Sequence, residues 1–152
     1  MVEIGGKPVL EHILFWLSKY GIYDVMINTG YKGEVIHNYL GTRCTYFFDP
    51  NIDLSVEQTI EIVKSWFKDD YMLVQNGDTL TDLDIDALVR SYKNRSIRFM
   101  DWDDQKVFAG TSILSPTYLF GGINDMKDVG VKCDWGDMGT LAGLKKARKR
   151  YG

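Results

Sequence analysis

Apolar positions along this chain repeat at two spacings, and the change from one to the other sets out the elements. Val9, Leu10, Ile13, Leu14, Leu17 and Tyr20 fall three or four apart, which predicts a helix that Pro8 opens and Gly21 stops. Val25, Met26 and Ile27 read as a short buried strand ending in Asn28-Thr29-Gly30, and Glu34 to Leu40 as a short helix closed by Gly41. Cys44 to Phe48, rich in β-formers and stopped by Asp49-Pro50, is the next strand. Ser55 with Gln58 makes a capping box for a helix whose stripe is Val56, Ile60, Val63 and Phe67. The strand Tyr71 to Gln75 then runs into the turn Asn76-Gly77-Asp78-Thr79, and Asp84 caps a helix carrying Ile85, Leu88, Val89 and Tyr92.

After Asn94 the spacing changes. Ile97 to Trp102 and Val107 to Leu114 read as strands of a hairpin joined through Asp103-Asp104-Gln105-Lys106. Ser115-Pro116 starts a helical turn, Val129 to Cys133 is a strand, and Thr140 to Arg150 is an amphipathic helix with Leu141, Leu144 and Ala147 inward. Alternating strands and helices argue for an α/β fold with a mainly parallel sheet covered on both faces, because parallel strands need crossover helices. The hairpin adds an antiparallel part.

Composition narrows the classes. The 152 residues suit one domain, and 45% hydrophobic with 13% aromatic content is enough for a core. A net charge of −3 and a pI near 5.3 give no basic face for nucleic acid. Cys44 and Cys133 stand far apart without C-x-x-C spacing, which argues against a disulfide framework or a zinc site and for a reducing, cytoplasmic setting. The first residues lack the basic and apolar regions of a signal peptide, and no apolar run approaches the roughly 20 residues that span a bilayer, so no membrane is expected.

Candidate chemistry centres on two aspartates. Asp78 leaves the carboxyl end of an apolar strand, where open α/β sheets place ligands and metal ions. Asp137, in Asp134-Trp135-Gly136-Asp137-Met138-Gly139-Thr140, precedes the last helix, whose amino end favours an anion. Two carboxylates from separate loops suit Mg2+, which takes one or two protein carboxylates and fills its octahedron with water and substrate phosphates. Residue types alone leave open that Asp78 is a turn residue and Asp137 a helix-end charge.

Other features read more plainly. Gly5-Gly6-Lys7-Pro8 lacks the spacing of a phosphate-binding loop and is a lead-in to the first helix. His12 and His37 lie in helical segments without a partner at metal-ligand spacing and receive no role. Lys145, Lys146, Arg148, Lys149 and Arg150 form a basic end to the last helix, a solvated face by default. Trp16, Trp66 and Trp102 read as core, and Trp135 alone sits beside a candidate site.

Taken in order, these residues resemble the sugar-phosphate nucleotidyltransferase family. Met1 to Leu14 looks like the segment after that family's P-K-P motif, and Asn28-Thr29-Gly30-Tyr31-Lys32-Gly33-Glu34, Asn76-Gly77-Asp78 with Leu83-Asp84-Ile85, and Asp137-Met138-Gly139-Thr140 continue the likeness. The resemblance implies a three-layer α/β sandwich with a Rossmann-like sheet, with Asp78 and Asp137 as the Mg2+-binding pair. It also implies nucleoside triphosphate and sugar 1-phosphate as substrates, with Gly77, Thr79, Gly110 and Thr140 as weaker candidates for substrate contact.

The family's first strand, its G-x-G-T-R-type loop and the P-K-P lysine have no counterpart here, so the expectation is a single truncated domain over residues 1–152 with the first strand missing. Leu54-Ser55-Val56-Glu57-Gln58 falls where relatives carry a glycine-bearing base-binding segment, the E-K-P sugar motif is absent, and Phe108 replaces a sugar-contacting asparagine. Unpaired strands beside the gap are expected to pair with each other, with a second copy or with another polypeptide, a homodimer being favoured. Two functions stay open: a minimal nucleotidyltransferase, Mg2+-dependent if active, or a non-catalytic binding or assembly module on the same fold.

Overall fold

Gly5 and Gly6 lie at φ 56 and 73, the left-handed pair that a two-residue hairpin turn requires. They join β1 (Glu3–Ile4) to β2 (Lys7–Pro8), so the expected lead-in is a small hairpin, missed because two-residue strands carry no period. The structure, a computed structural model, describes residues 1–49, 54, 56–66, 71–91, 97–101, 107–115, 126–131 and 133–151. The Ser55 cap, the stripe position Phe67, Tyr92, the 103–106 hairpin turn and the Ser115-Pro116 helical turn lie wholly or partly outside them.

The predicted helix one is α1 (Val9–Ser18), with Pro8 as its N-cap residue and Gly21 at φ 73 beyond its end. Its buried face is Val9, Ile13, Trp16 and Leu17, the helical spacing read from sequence with Trp16 added. β3 (Met26–Thr29), α2 (Gly33–Leu40) and β4 (Thr45–Phe48) follow, and β3 pairs β4 in parallel across the α2 crossover. Next come α3 (Val56–Val63), β5 (Met72–Gln75), β6 (Thr79–Thr81) and α4 (Ile85–Ser91). Asp84 caps α4 as expected, its Oδ1 accepting the Ala87 N–H at 3.1 Å.

β7 (Ile97–Asp101) and β8 (Val107–Leu114) form the expected antiparallel pair, with a register shift between Arg98 and Met100. β9 (Lys127–Val131) begins two residues before the predicted strand and pairs β7 in parallel. β5 adds antiparallel to β8, giving a four-stranded sheet in the order β5-β8-β7-β9. Pairing is therefore mixed rather than mainly parallel among the described residues. β8 returns beside β5 against the direction of its neighbours, which a hairpin connection permits and a helical crossover does not.

Among the described residues β3 pairs β4 alone and β5 pairs β8 alone, so these two strands do not close on each other. One face of the four-stranded sheet, through Phe99 and Ile113, shares a core with α1, Ile85 and Leu88 of α4, and Met138. The core also takes in Ala147 of α5 (Leu141–Tyr151). Leu141, expected inward, is 79% exposed, and the buried stripe of α5 starts only at Leu144. The first turn of α5 instead lies against the strand before it, β10 (Trp135–Asp137), where Gly143 leaves no room for a larger residue.

Candidate functional site

Asp78 lies in the expected turn, directly before β6, whereas Asp137 is the last residue of the strand β10 rather than part of a loop. β6 and β10 pair antiparallel with Trp135 opposite Thr81, Gly136 opposite Leu80 and Asp137 opposite Thr79. The Met138 N–H donates to the Asp78 carbonyl at 2.7 Å and extends the ladder by one bond. The pairing carries two carboxylates, separated by 59 positions in the chain, to one end of a short ribbon. Each three-residue strand is too short to show a period, which is why sequence alone left Asp137 in a loop and missed the pairing.

Gly139 marks where the two side chains meet. A Cβ built on it would stand 3.0 Å from Asp137 Oδ1 and 3.3 Å from Asp78 Oδ2, so both oxygens border the same small space. An octahedral Mg2+ ion would sit about 2.1 Å from each oxygen ligand, with neighbouring ligands about 3 Å apart. The Gly139 gap, with hard oxygen donors on two sides, fits such a cation. Asp78 is exposed and Asp137 half-buried, which leaves room for water and substrate oxygens. Among the described residues no group of three or more His, Cys, Asp or Glu gathers around a metal-sized point.

Neighbouring groups orient this pair. The Thr79 hydroxyl donates to Asp78 Oδ1 at 3.2 Å, and the Gly139 N–H donates to Asp137 Oδ1 at 2.7 Å. Thr79 is only 3% exposed and turned onto Asp78, so its reach is to the carboxylate beside it. Gly110, at φ 76, packs on Thr79 so closely that a Cβ would stand 2.7 Å from Thr79 Cγ2, and its carbonyl accepts the Asn76 N–H at 2.8 Å. The Gln75 amide donates to the Thr79 carbonyl at 2.9 Å, and Thr111 donates to Gln75 Oε1 at 2.5 Å. Gly77 is exposed at the turn, where the nearest atom to an added Cβ is Leu10 Cδ2 at 3.9 Å.

Thr140 is the cap of α5. Its hydroxyl accepts the Gly143 N–H at 3.1 Å and donates to the Asp137 carbonyl at 2.9 Å, tying the helix start to the strand end. Gly143 was not read from sequence, yet a Cβ there would fall 1.9 Å from the Asp137 carbonyl oxygen. Glycines at 136, 139 and 143 are spaced like residues on one side of a close-packed turn, the one sequence signal that bore on it.

The other end of the ribbon carries a second pair of aspartates with a different environment. The Asp134 N–H donates to Asp82 Oδ1 at 2.7 Å, and the Asp82 N–H to the Asp134 carbonyl at 3.2 Å. Arg150 reaches Asp82 at 3.0 Å and also pairs with Asp134, while Lys146 pairs with Asp134 at 2.5 Å. The Lys146 ammonium beside it holds the Asp134 carboxyl below its usual range, and Asp82 raises the Arg150 guanidinium above its own. Two of the five basic residues expected to be solvated are thus spoken for. By contrast, no Lys or Arg pairs with Asp78 or Asp137 among the described residues.

The remaining candidates keep structural contacts. His12 Nε2 bonds the Ile4 carbonyl at 2.9 Å, and His37 bonds the Thr29 hydroxyl at 3.2 Å with its ring 4.1 Å from that of Tyr46. Trp16 is buried with its indole N–H on the Leu83 carbonyl at 3.0 Å. Cys44 and Cys133 are not joined in a disulfide. No helix among the described residues is long and apolar enough to cross a membrane.

With this geometry in place, the chain can be set beside known proteins. No protein-family profile matches it. It is 36% identical to the D-glycero-alpha-D-manno-heptose 1-phosphate guanylyltransferase of Aneurinibacillus thermoaerophilus over 92 residues, 56% of this chain and 39% of that protein. It is 39% identical to the glucose-1-phosphate cytidylyltransferase of Salmonella typhimurium over 83 residues, 52% of this chain and 31% of that protein. Its homologues are sugar-phosphate nucleotidyltransferases. The matches span less than half the length of these relatives.

The fold agrees with that kinship. The crystal structure of HddC from Yersinia pseudotuberculosis complexed with GMP-PN gives a TM-score of 0.84 at 19% identity, covering 100% of this chain and 89% of that one. The inositol-1-phosphate CTP transferase of T. maritima gives 0.65 at 11% identity, over 99% and 85%. At such identities the likeness is one of fold: α/β, of the nucleotide-diphospho-sugar transferase type, with mixed sheets.

Proposed function

We propose that this chain is a nucleotidyltransferase domain that joins a nucleoside triphosphate to a sugar 1-phosphate, with Asp78 and Asp137 holding Mg2+. The convergence of the two carboxylates at the Gly139 gap carries this reading. It is supported by the contrast along the ribbon: Arg150 and Lys146 pair with Asp82 and Asp134, whereas among the described residues no side-chain cation pairs with Asp78 or Asp137. Two carboxylates bordering one space suit a divalent ion, whose charge would be the largest in the site.

In the reaction, a phosphate oxygen of the sugar 1-phosphate forms a bond to the α-phosphorus, the bond from that phosphorus to the bridging oxygen breaks, and pyrophosphate leaves. Bound at this pair, Mg2+ supplies charge neutralisation to the phosphate oxygens. The chain's own part is positioning: Thr79 and the Gly139 N–H fix the carboxylates, and the Thr140 cap fixes the strand end that carries Asp137. The relatives differ in base, guanylyl against cytidylyl, so the base is left open by kinship.

The test is Mg2+-dependent pyrophosphate release with a panel of nucleoside triphosphates and sugar 1-phosphates, alongside Asp78→Asn and Asp137→Asn. Turnover that either substitution abolishes without lowering Tm supports the reading. Absence of turnover and of nucleotide binding leaves the second reading, a non-catalytic binding or assembly module. That alternative is favoured by the lack of any lysine or arginine on the pair among the described residues, since a triphosphate needs cationic partners.

A further inference from the structure

The ribbon that presents the acidic pair is short. Each strand contributes three residues, and a two-stranded ribbon of that size is marginal by itself. Strand residues advance about 3.3 Å each, and slipping one strand by one residue turns its side chains to the other face. Such a slip would carry Asp137 away from Asp78. Something beyond the ladder must fix the register.

We infer that Arg150 and Lys146 are positioning residues for the Asp78 and Asp137 pair, an inference that rests on the metal reading above. The helix carrying them starts at the Thr140 cap beside Asp137 and returns along the ribbon. From Thr140 to Arg150 a helix covers about 15 Å, and from Asp78 to Asp82 a strand covers about 13 Å, so the last turn of α5 arrives at the opposite end of β6. There Arg150 spans Asp82 and Asp134, one residue beyond each strand, and Lys146 holds Asp134 and the Trp135 carbonyl. Helix and ribbon form a closed loop with the cap at one end and the clasp at the other. Release of the clasp leaves Asp82 and Asp134 joined only by their two direct hydrogen bonds, and the greater fraying is delivered to Asp78 and Asp137 because the strands between them are only three residues long.

The guanidinium fork matters here. A planar guanidinium can face two carboxylates at once, whereas an ammonium is a point charge that serves one place at a time. Arg150→Lys is therefore expected to restore part of the effect that Arg150→Met removes.

The experiment is Mn2+ binding to the full chain followed by electron paramagnetic resonance, with backbone amide exchange at Met138, whose N–H closes the ribbon beside the pair. Arg150→Met and Lys146→Met are each expected to weaken Mn2+ binding about five-fold, the scale of a partly exposed ion-pair network, and to speed Met138 exchange. Arg43→Met removes an ion pair to Glu11 that involves no residue of the ribbon and is expected to change neither readout, which separates positioning from general loss of stability. Unchanged Mn2+ affinity and unchanged Met138 exchange in both clasp variants overturn the inference. If the native chain takes up no Mn2+, the metal reading falls, and Met138 exchange alone decides: faster in the variants upholds the clasp, and the same rate overturns it.

Discussion

Gly143→Ala sets two effects of opposite sign against each other. In an exposed helix the change to alanine stabilises by about 1 kcal/mol through propensity alone. At Gly143, however, the new Cβ would stand 1.9 Å from the Asp137 carbonyl oxygen, 2.7 Å from its carbon and 2.9 Å from its nitrogen. Normal contact begins near 3.5 Å, so helix and strand must separate by about 1.5 Å. Every atom met is backbone, which cannot rotate away, and the turn is fixed by the Thr140 hydroxyl on both sides. Overpacking of this kind costs about 3 kcal/mol, so the net loss is about 2 kcal/mol. For a chain of this length that lowers Tm by about 4–8 °C. Thermal unfolding followed by far-UV circular dichroism measures it, with Ala142→Gly, at an exposed position one residue earlier, reporting propensity alone with a Tm drop of about 2–4 °C. A Gly143→Ala protein with Tm equal to or above the native value would refute the close approach of α5 to β10.

Gly139→Ala places a methyl 3.0 Å and 3.3 Å from the two carboxylate oxygens; Mn2+ titration should show affinity reduced about ten-fold or more, with Tm changed by less than in Gly143→Ala. Acid should loosen the clasp with a defined sign. The folded Asp134 carboxyl titrates below its unfolded value of about 3.9, so its stabilisation is complete above that value and is lost as pH falls through the lower folded one. Between about pH 4 and 2 the fall of Tm should therefore be shallower in Asp134→Asn than in the native chain, while above about pH 5 the two profiles should run parallel. Trp16→Phe removes the indole N–H from a Leu83 carbonyl that keeps the Tyr20 hydroxyl as a second donor at 3.2 Å, and denaturant unfolding should show a loss of about 0.5–1.5 kcal/mol.

Sequence by itself determined the elements whose cause is local. The spacing of Val9, Ile13 and Leu17 makes α1 one-sided wherever the helix packs, the Asp84 carboxylate caps α4 through a bond three residues away, and two neighbouring strand-forming runs, Ile97 to Trp102 and Val107 to Leu114, yield an antiparallel pair. It also singled out Asp78 and Asp137, because carboxylates at strand and helix ends have recognisable neighbours. It placed Asp137 in a loop, kept Leu141 inside and left Arg150 in solvent. Those matters belong to contacts between residues far apart in the chain. Trp135 finds Thr81 and Arg150 finds Asp82 only after the core has brought α5 back along the ribbon, and no three-residue strand carries a pattern that announces its partner. Whether two aspartates form a site is a distance, and tertiary packing alone sets that distance.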